Sequence, residues 1–340
     1  MKHRINTVAA MGLILLAAIT LPFPNPSQAA ESTAAMEAAP TEAGPGEWLS
    51  RLEDKPGMLY ENDENRWLQE FRIIGRFQYQ LAYLDGEDVD GDDFDEAHDE
   101  YRRVRLGAKG RFLRYFSFKF QANVVDDNRN KAGGGDLDWG YESMDEAYLR
   151  FDLGKLIGSG LLDRLGLAYG RQKYAFSQEG HTSSKRLLTV ERSAISNKVY
   201  RAARPTGLKL DAARGDWSFF AALYTSTTDG DDNEEFSGWQ DDAFYHVHAA
   251  NQVNDALKIG LDFTYNGADA ATEDSVLPYR WATSLHAVYD AGAWGVIGDV
   301  IHGDNGGSDM LANPDRRGDF WGLVVMPHYW LVDERLQLVG

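Results

Sequence analysis

The chain has 340 residues, a formal net charge of −19 and no cysteine. Its mean hydropathy is −0.44 and only one long apolar run occurs, at the N-terminus, so a bundle of membrane-spanning helices is excluded. Without cysteine neither disulfides nor a lipidated cysteine is used, and two exported classes stay open: a soluble β protein, and a transmembrane β-barrel, whose alternating strands keep mean hydropathy low.

Lys2, His3 and Arg4 precede an apolar run over 8–21; Pro22, Pro24 and Pro26 then break any helix, and Ser27, Gln28 and Ala29 are small or polar. This is the pattern of a secretory signal peptide over 1–29. The apolar run is shorter than the ~20 residues a spanning helix needs. Residues 30–66 read as a flexible periplasmic lead-in, rich in Ala, Glu, Pro and Thr over 31–46.

From Trp67 the pattern has period two. Phe71, Ile73, Gly75, Phe77, Tyr79, Leu81 and Tyr83 share one strand face, and Arg72, Arg76, Gln78 and Gln80 lie on the other. Val104, Leu106 and Ala108 stand opposite Arg103, Arg105, Lys109 and Arg111. Phe116, Phe118 and Phe120 stand opposite Ser117, Lys119 and Gln121, and Ala147, Leu149 and Phe151 opposite Glu146, Tyr148, Arg150 and Asp152. Further strands are expected over 164–173, 205–213, 216–225, 244–251, 256–266, 280–289, 293–302, 319–330 and 335–340.

The connections alternate in length. Long ones are expected over 85–100, 126–143, 174–204, 226–243, 267–279 and 303–318, with tight turns or shorter links between them. Short turns on one side and long loops on the other mark an up-and-down barrel of the outer membrane. A soluble β-sandwich would alternate within strands but need not sort its loops this way. The expected fold is therefore all-β: a transmembrane antiparallel up-and-down β-barrel occupying 67–340. About thirteen strands are visible, and the last, ERLQLVG, breaks off while still alternating. Such barrels close on an even number, so the chain reads as truncated, with sixteen strands when complete.

The segments RRVRLGAKGRFLRYFSFKFQANV, DEAYLRF, GRQKYAFSQEGHTSSKRLLTVERSAISN and RPTGLKL resemble the phosphate-selective porin O and P family. The likeness runs from about Trp67 onward and is most specific over 170–197. The resemblance implies a sixteen-stranded outer-membrane barrel, a homotrimer, that passes phosphate or polyphosphate through a lumen lined by arginines and narrowed at a lysine-bearing constriction. It implies a Gram-negative outer membrane as the location, small inorganic anions and membrane lipid as partners, no cofactor, no nucleic acid and no enzymatic activity.

The charge distribution agrees with that expectation. Over 171–204 eight basic residues face two acidic ones, a local excess of about +6 in a chain of −19. The longest connection, 174–204, is expected to fold inward, with Lys185, Arg186 and Arg192 at a constriction. Arg72, Arg76, Arg103, Arg105, Lys109, Arg111 and Lys119 would continue the positive lining along the wall. Rings of Arg and Lys select anions, a low-dielectric wall focuses their field, and guanidinium pairs with phosphate oxygens. A blander use is open: these cations can pair with Glu191, Glu146 and Asp152 to tie the loop to the wall, and the porin is then a general one.

The acidic residues gather elsewhere. Ten of the sixteen residues over 85–100 are Asp or Glu; they read as solvated outer loop. Asp88, Asp90 and Asp92 have calcium-loop spacing, but Asp93 stands where that loop needs glycine. His246 and His248 share a strand face with no third ligand apparent, and read as polar lining with no metal site. Gly133, Gly134 and Gly135 lack the Lys-Ser/Thr of a phosphate loop. No catalytic constellation is visible.

Overall fold

The computed structural model describes residues 55–87, 93–129, 135–158, 160–226, 239, 243–267, 275–306, 318–333 and 335–340. The expected signal peptide, the Asp88–Asp90–Asp92 spacing, and Gly133 and Gly134 lie outside them.

Fourteen described strands form one antiparallel sheet in which each is hydrogen-bonded to the next in chain order. They are β1 (Met58–Glu61), β2 (Leu68–Glu87), β3 (Asp93–Phe112), β4 (Phe116–Asp127), β5 (Leu137–Asp152), β6 (Arg164–Arg171) and β7 (Thr206–Arg214). β8 (Trp217–Thr225), β9 (Ala243–Gln252), β10 (Leu257–Asn266), β11 (Trp281–Asp290), β12 (Trp294–Asp304), β13 (Asp319–Val332) and β14 (Leu336–Val339) follow. This is the all-β, antiparallel up-and-down architecture of a transmembrane barrel wall. Among the described residues the sheet is open, with β1 and β14 at its edges.

Two differences from the sequence expectation have physical causes. The thirteen expected strands correspond to β2–β14, and β1 is additional. It has four residues and pairs with β2, Tyr60 opposite Phe71; so short a strand shows no period. The connection expected over 85–100 is also shorter, because β2 runs to Glu87 and β3 starts at Asp93. Where both faces meet water the apolar alternation fades, yet backbone hydrogen bonds continue the ladder.

The described residues divide into two compact units, those up to Gly110 with those of Gln121–Ser143, and those of Arg111–Phe120 with those of Met144–Gly340. In the second unit β6 to β12 have 8 to 11 residues, close to the ~9–11 that cross a hydrocarbon core when tilted. Their polarity is inverted relative to a soluble protein. Ile259, Leu261, Phe263, Tyr265, Leu285, Val300, Trp321 and Leu323 are exposed, while His246, Asp262, Thr264, Asn266, Ser284 and Asp299 are buried. An exposed apolar face is favourable against lipid and unfavourable against water. Tight turns carry the left-handed backbone a hairpin needs: Leu113 and Arg114 both have positive φ (50° and 66°) between β3 and β4.

Among the described residues three short helices occupy connections: α1 (Leu153–Ile157), α2 (Ser177–His181) and α3 (Ala194–Tyr200). The apolar core of the second unit lies between the 172–205 connection and the polar sheet face. Its buried members include Tyr174, Phe176, Val199, Tyr224, Phe244, Leu277, Tyr279 and Ile301.

Candidate functional site

Register sets the site. Across successive strands β6 to β13 the residues Gly166, Asp211, Phe220, His248, Asp262, Ser284, Ile301 and Gly322 stand opposite one another in one row. The connection 172–205 folds across this row. Its neck is closed by Gln172 N–H to Pro205 O (3.0 Å) and Tyr174 N–H to Ala203 O (3.1 Å).

Helices of five and seven residues have no stability of their own; packing holds them. α2 lies against β10, β11 and β12, and α3 against β13. The Ser177 and Gln178 N–H groups donate to Asp262 Oδ2 (3.2 Å) and Asp299 Oδ2 (2.9 Å). Ile195 sits over Gly322, where an added Cβ would lie 2.1 Å from Ile195 Cγ1. The Tyr174 hydroxyl is 2.8 Å from both Thr264 Oγ1 and the Tyr279 hydroxyl, which donates to Val199 O. Each fully buried large apolar side chain adds about 1.5–3 kcal/mol, so Tyr174, Phe176 and Val199 together make docking the favoured state.

Within the connection Arg192 is buried. Its Nε donates to Glu179 O (2.8 Å), its Nη2 to Thr182 O (3.1 Å), and its guanidinium lies over the Tyr200 ring at 4.5 Å. Glu179 accepts from the Ser193 N–H at 3.1 Å. Lys173 Nζ also lies over the Tyr200 ring, 5.2 Å from its centroid. Burial, helped by Arg192 and Arg204, pulls the Lys173 ammonium down to about 7. Burial also holds the His181 imidazole below its ordinary range, against the pull of Asp262.

Beneath the connection is a cavity of about 520 Å³ lined by Arg150, Arg164, Lys209, Asp211, His181, His248 and Phe220 among others. Arg150 holds Asp211 with two bonds, Nε–Oδ1 3.0 Å and Nη2–Oδ2 2.9 Å. Arg164 Nε is 3.0 Å from the same Oδ2. Lys209 Nζ stands 5.6 Å from the Phe220 ring. Three cations against one carboxylate leave the cavity lining at +2, counted over these side chains. A partly enclosed space with fixed cations and imidazoles attracts small anions.

The expected wall residues occupy several environments. In the first unit Arg72 Nε is 3.9 Å from Glu70, and Arg76 and Arg103 share Gln78 Oε1 at 2.6 and 3.0 Å. Arg105 donates to Asn123 Oδ1 (2.9 Å), and Lys109 lies near the end of β3. In the second unit Arg111 is the penultimate residue of the same strand, and Lys119 is paired with Glu146. Lys185 and Arg186 are exposed on the connection between α2 and α3. Arg192, as described above, is turned into the connection.

Arg150, Arg164 and Lys209 complete the cavity and were not singled out by the sequence. Arg150 stands on the polar face of β5, which was a usable signal. Arg164 and Lys209 become recognisable only when β6 and β7 are aligned in register.

Folding also changes the reading of the two histidines. No third ligand for His246 and His248 is visible along the chain, but β10 brings Asp262 directly opposite His248 and α2 brings His181. His248 Nδ1 is 2.8 Å, His246 Nε2 3.2 Å and His181 Nε2 2.9 Å from Asp262 Oδ1.

Comparison with known proteins gives one family. The family model described as phosphate-selective porin O and P matches residues 71–286. Among solved structures, the anion-selective porin from Comamonas acidovorans has 13% identity and a TM-score of 0.41, covering 76% of this chain and 72% of its own. The outer-membrane channel DcaP of Acinetobacter baumannii has 12% identity and a TM-score of 0.39, covering 81% and 90%. A triple mutant of the Rhodopseudomonas blastica porin has 11% identity and a TM-score of 0.33, covering 79% and 92%. No curated protein sequence matches the chain.

Proposed function

Because the chain belongs to the phosphate-selective porin O and P family, we propose that it is an outer-membrane channel for passive diffusion of small anions, with phosphate or polyphosphate as the preferred class. The observation that carries this reading is the cavity under the 172–205 connection, where Arg150, Arg164 and Lys209 face one carboxylate, Asp211. The apolar exposed face of the second unit suits lipid, and its polar face suits water. Several moderate cationic sites in series allow an ion to enter and leave, where one tight site would trap it. In this reading Arg72, Arg76, Arg103, Arg105 and Lys109 supply positive wall in the first unit and Arg111 and Lys119 in the second, and Lys185 and Arg186 serve the constriction on the connection. The barrel acts as a homotrimer after export by the N-terminal signal peptide.

One observation favours a second reading, a general pore of weak selectivity. Cations of the wall and the connection carry carboxylates: Lys119 pairs with Glu146 and Arg150 with Asp211 on the wall, and Arg204 of the connection with Asp145. The two readings separate in a planar bilayer under a salt gradient. Anion reversal potential with chloride current blocked by added phosphate supports the first. Weak or cation preference without phosphate block supports the second.

A further inference from the structure

We propose that His181, His248 and Asp262 form a binding site for a zinc-class divalent transition-metal ion that fastens the 172–205 connection to the wall. One donor atom from each lies within 4.8 Å of the other two. The donors come from three places in the chain: α2 of the connection, β9 and β10. A metal bound there cross-links the connection to two strands at once.

The donor set has the right chemistry. Two imidazole nitrogens and one carboxylate oxygen are the ligands of an open zinc site, which keeps its fourth position for water. Tetrahedral bonds of about 2.0–2.1 Å separate the ligand atoms by roughly 3.4 Å. His181 Nε2 and His248 Nδ1 stand 2.9 and 2.8 Å from Asp262 Oδ1, so each ring needs to withdraw by only a few tenths of an ångström.

The surroundings are prepared as second shells around metals are. The Ser177 N–H donates to Asp262 Oδ2 at 3.2 Å, and His246 Nε2 lies 3.2 Å from Oδ1. The His248 ring is stacked on Phe220, with centroids 5.0 Å apart and 20° between planes. The His181 and His248 rings are 4.2 Å apart. His286 Nδ1, 3.6 Å from Asp262 Oδ2, is the nearest further nitrogen donor to the carboxylate. Both His181 and His248 line the cavity, which gives an ion a route in.

Crowding at the carboxylate points the same way. Three imidazoles crowd the carboxylate, His248 and His246 at Oδ1 (2.8 and 3.2 Å) and His181 across both oxygens (2.9 and 3.0 Å), with the Ser177 N–H also at Oδ2. A divalent ion among them replaces that crowding with bonds directed to one centre. The site takes a soft-to-borderline ion with nitrogen affinity; calcium and magnesium, which prefer all-oxygen shells, are excluded as its ligands.

The test uses the full chain in detergent, stripped of metal by a chelator and titrated calorimetrically with zinc chloride. The expected result is one zinc per chain at micromolar affinity, with calcium giving no heat. His181→Gln, placed on the connection and not in the wall, is expected to weaken zinc binding by more than about tenfold. His98→Gln, remote from the cluster in sequence and on β3, is expected to leave it unchanged. Zinc is also expected to protect the connection from proteolysis in the parent protein and not in His181→Gln. Absence of zinc binding, or equal binding in His181→Gln, overturns the proposal; protection that responds to pH alone with no zinc effect does so too, and would make the cluster a proton-dependent fastening.

Discussion

Arg150 on β5 reaches across the whole of β6 to clasp Asp211 on β7 with two hydrogen bonds, 3.0 and 2.9 Å long. Arg164 approaches the same carboxylate, Nε to Oδ2 at 3.0 Å. One aspartate thus fixes two guanidinium groups at the edge of the cavity and cancels one of their charges. Both consequences can be measured.

Asp211→Asn removes the cancelling charge and raises the lining from +2 to +3. An added unit charge beside a water-filled path changes an ion's energy by about 0.2–0.5 kcal/mol after screening by salt, with opposite sign for anions and cations. The expected outcome is a rise of roughly twofold to fivefold in the anion-to-cation permeability ratio, read from reversal potentials at equal salt gradients. An unchanged ratio would remove this cavity from the conduction path.

Gly166 makes the clasp possible. A Cβ on this residue would lie 2.0 Å from Arg150 Nη2, inside the space the clasping guanidinium now occupies. Gly166→Ala is expected to displace Arg150 and destabilise the barrel by about 1–3 kcal/mol. Gel migration after graded heating reads the loss of stability, and the Arg150→Gln, Gly166→Ala double variant should recover part of it because the clash partner is shorter.

The wall was far more legible in the sequence than the site. Period-two alternation exposed β2 to β14, because in each strand the lipid face selects apolar residues and the opposite face does not. It missed β1, which is too short to alternate, and the outer ends of β2 and β3, where no lipid selects. Within the site, the His248–Asp262 pair was recoverable in principle: a turn near Asn254 and Asp255 sets β9 against β10 in the register that opposes them. His181 was not recoverable. It arrives through a connection whose path depends on buried tyrosines and on Gly322, and local pattern carries no trace of that.

The cations of the connection divide by environment, and the division predicts two phenotypes. Arg192 is buried with carbonyl acceptors at 2.8 and 3.1 Å. Arg192→Ala leaves those acceptors and the Tyr200 face without their cation, at a cost of about 1.5–3 kcal/mol. It is expected to make 172–205 protease-sensitive. Lys185 and Arg186 are exposed, so the Lys185→Ala, Arg186→Ala double variant is expected to keep protease resistance and lower anion preference. Equal protease sensitivity in both variants would show that charge, and not burial, holds the connection down.

Lys173 is expected to give the channel a pH dependence near neutrality. Burial is the first cause of its lowered value, about 7, with Arg192 and Arg204 adding to it. Between that value and the ordinary lysine range near 10.5, an undocked connection binds a proton that the docked one does not. Docking therefore strengthens as pH rises through this window, and carries the full penalty of the buried ammonium below it. The same step changes the charge near the cavity: Lys173 is mainly cationic at pH 6 and mainly neutral at pH 8. Anion preference is expected to be higher at pH 6 than at pH 8, and Lys173→Met is expected to flatten the difference while making the connection more protease-resistant at pH 6. Any change between pH 6 and 8 that survives in Lys173→Met belongs to other groups, the histidines first among them, and a wild-type channel with the opposite slope would mean that the Lys173 charge is not felt by the permeating ion.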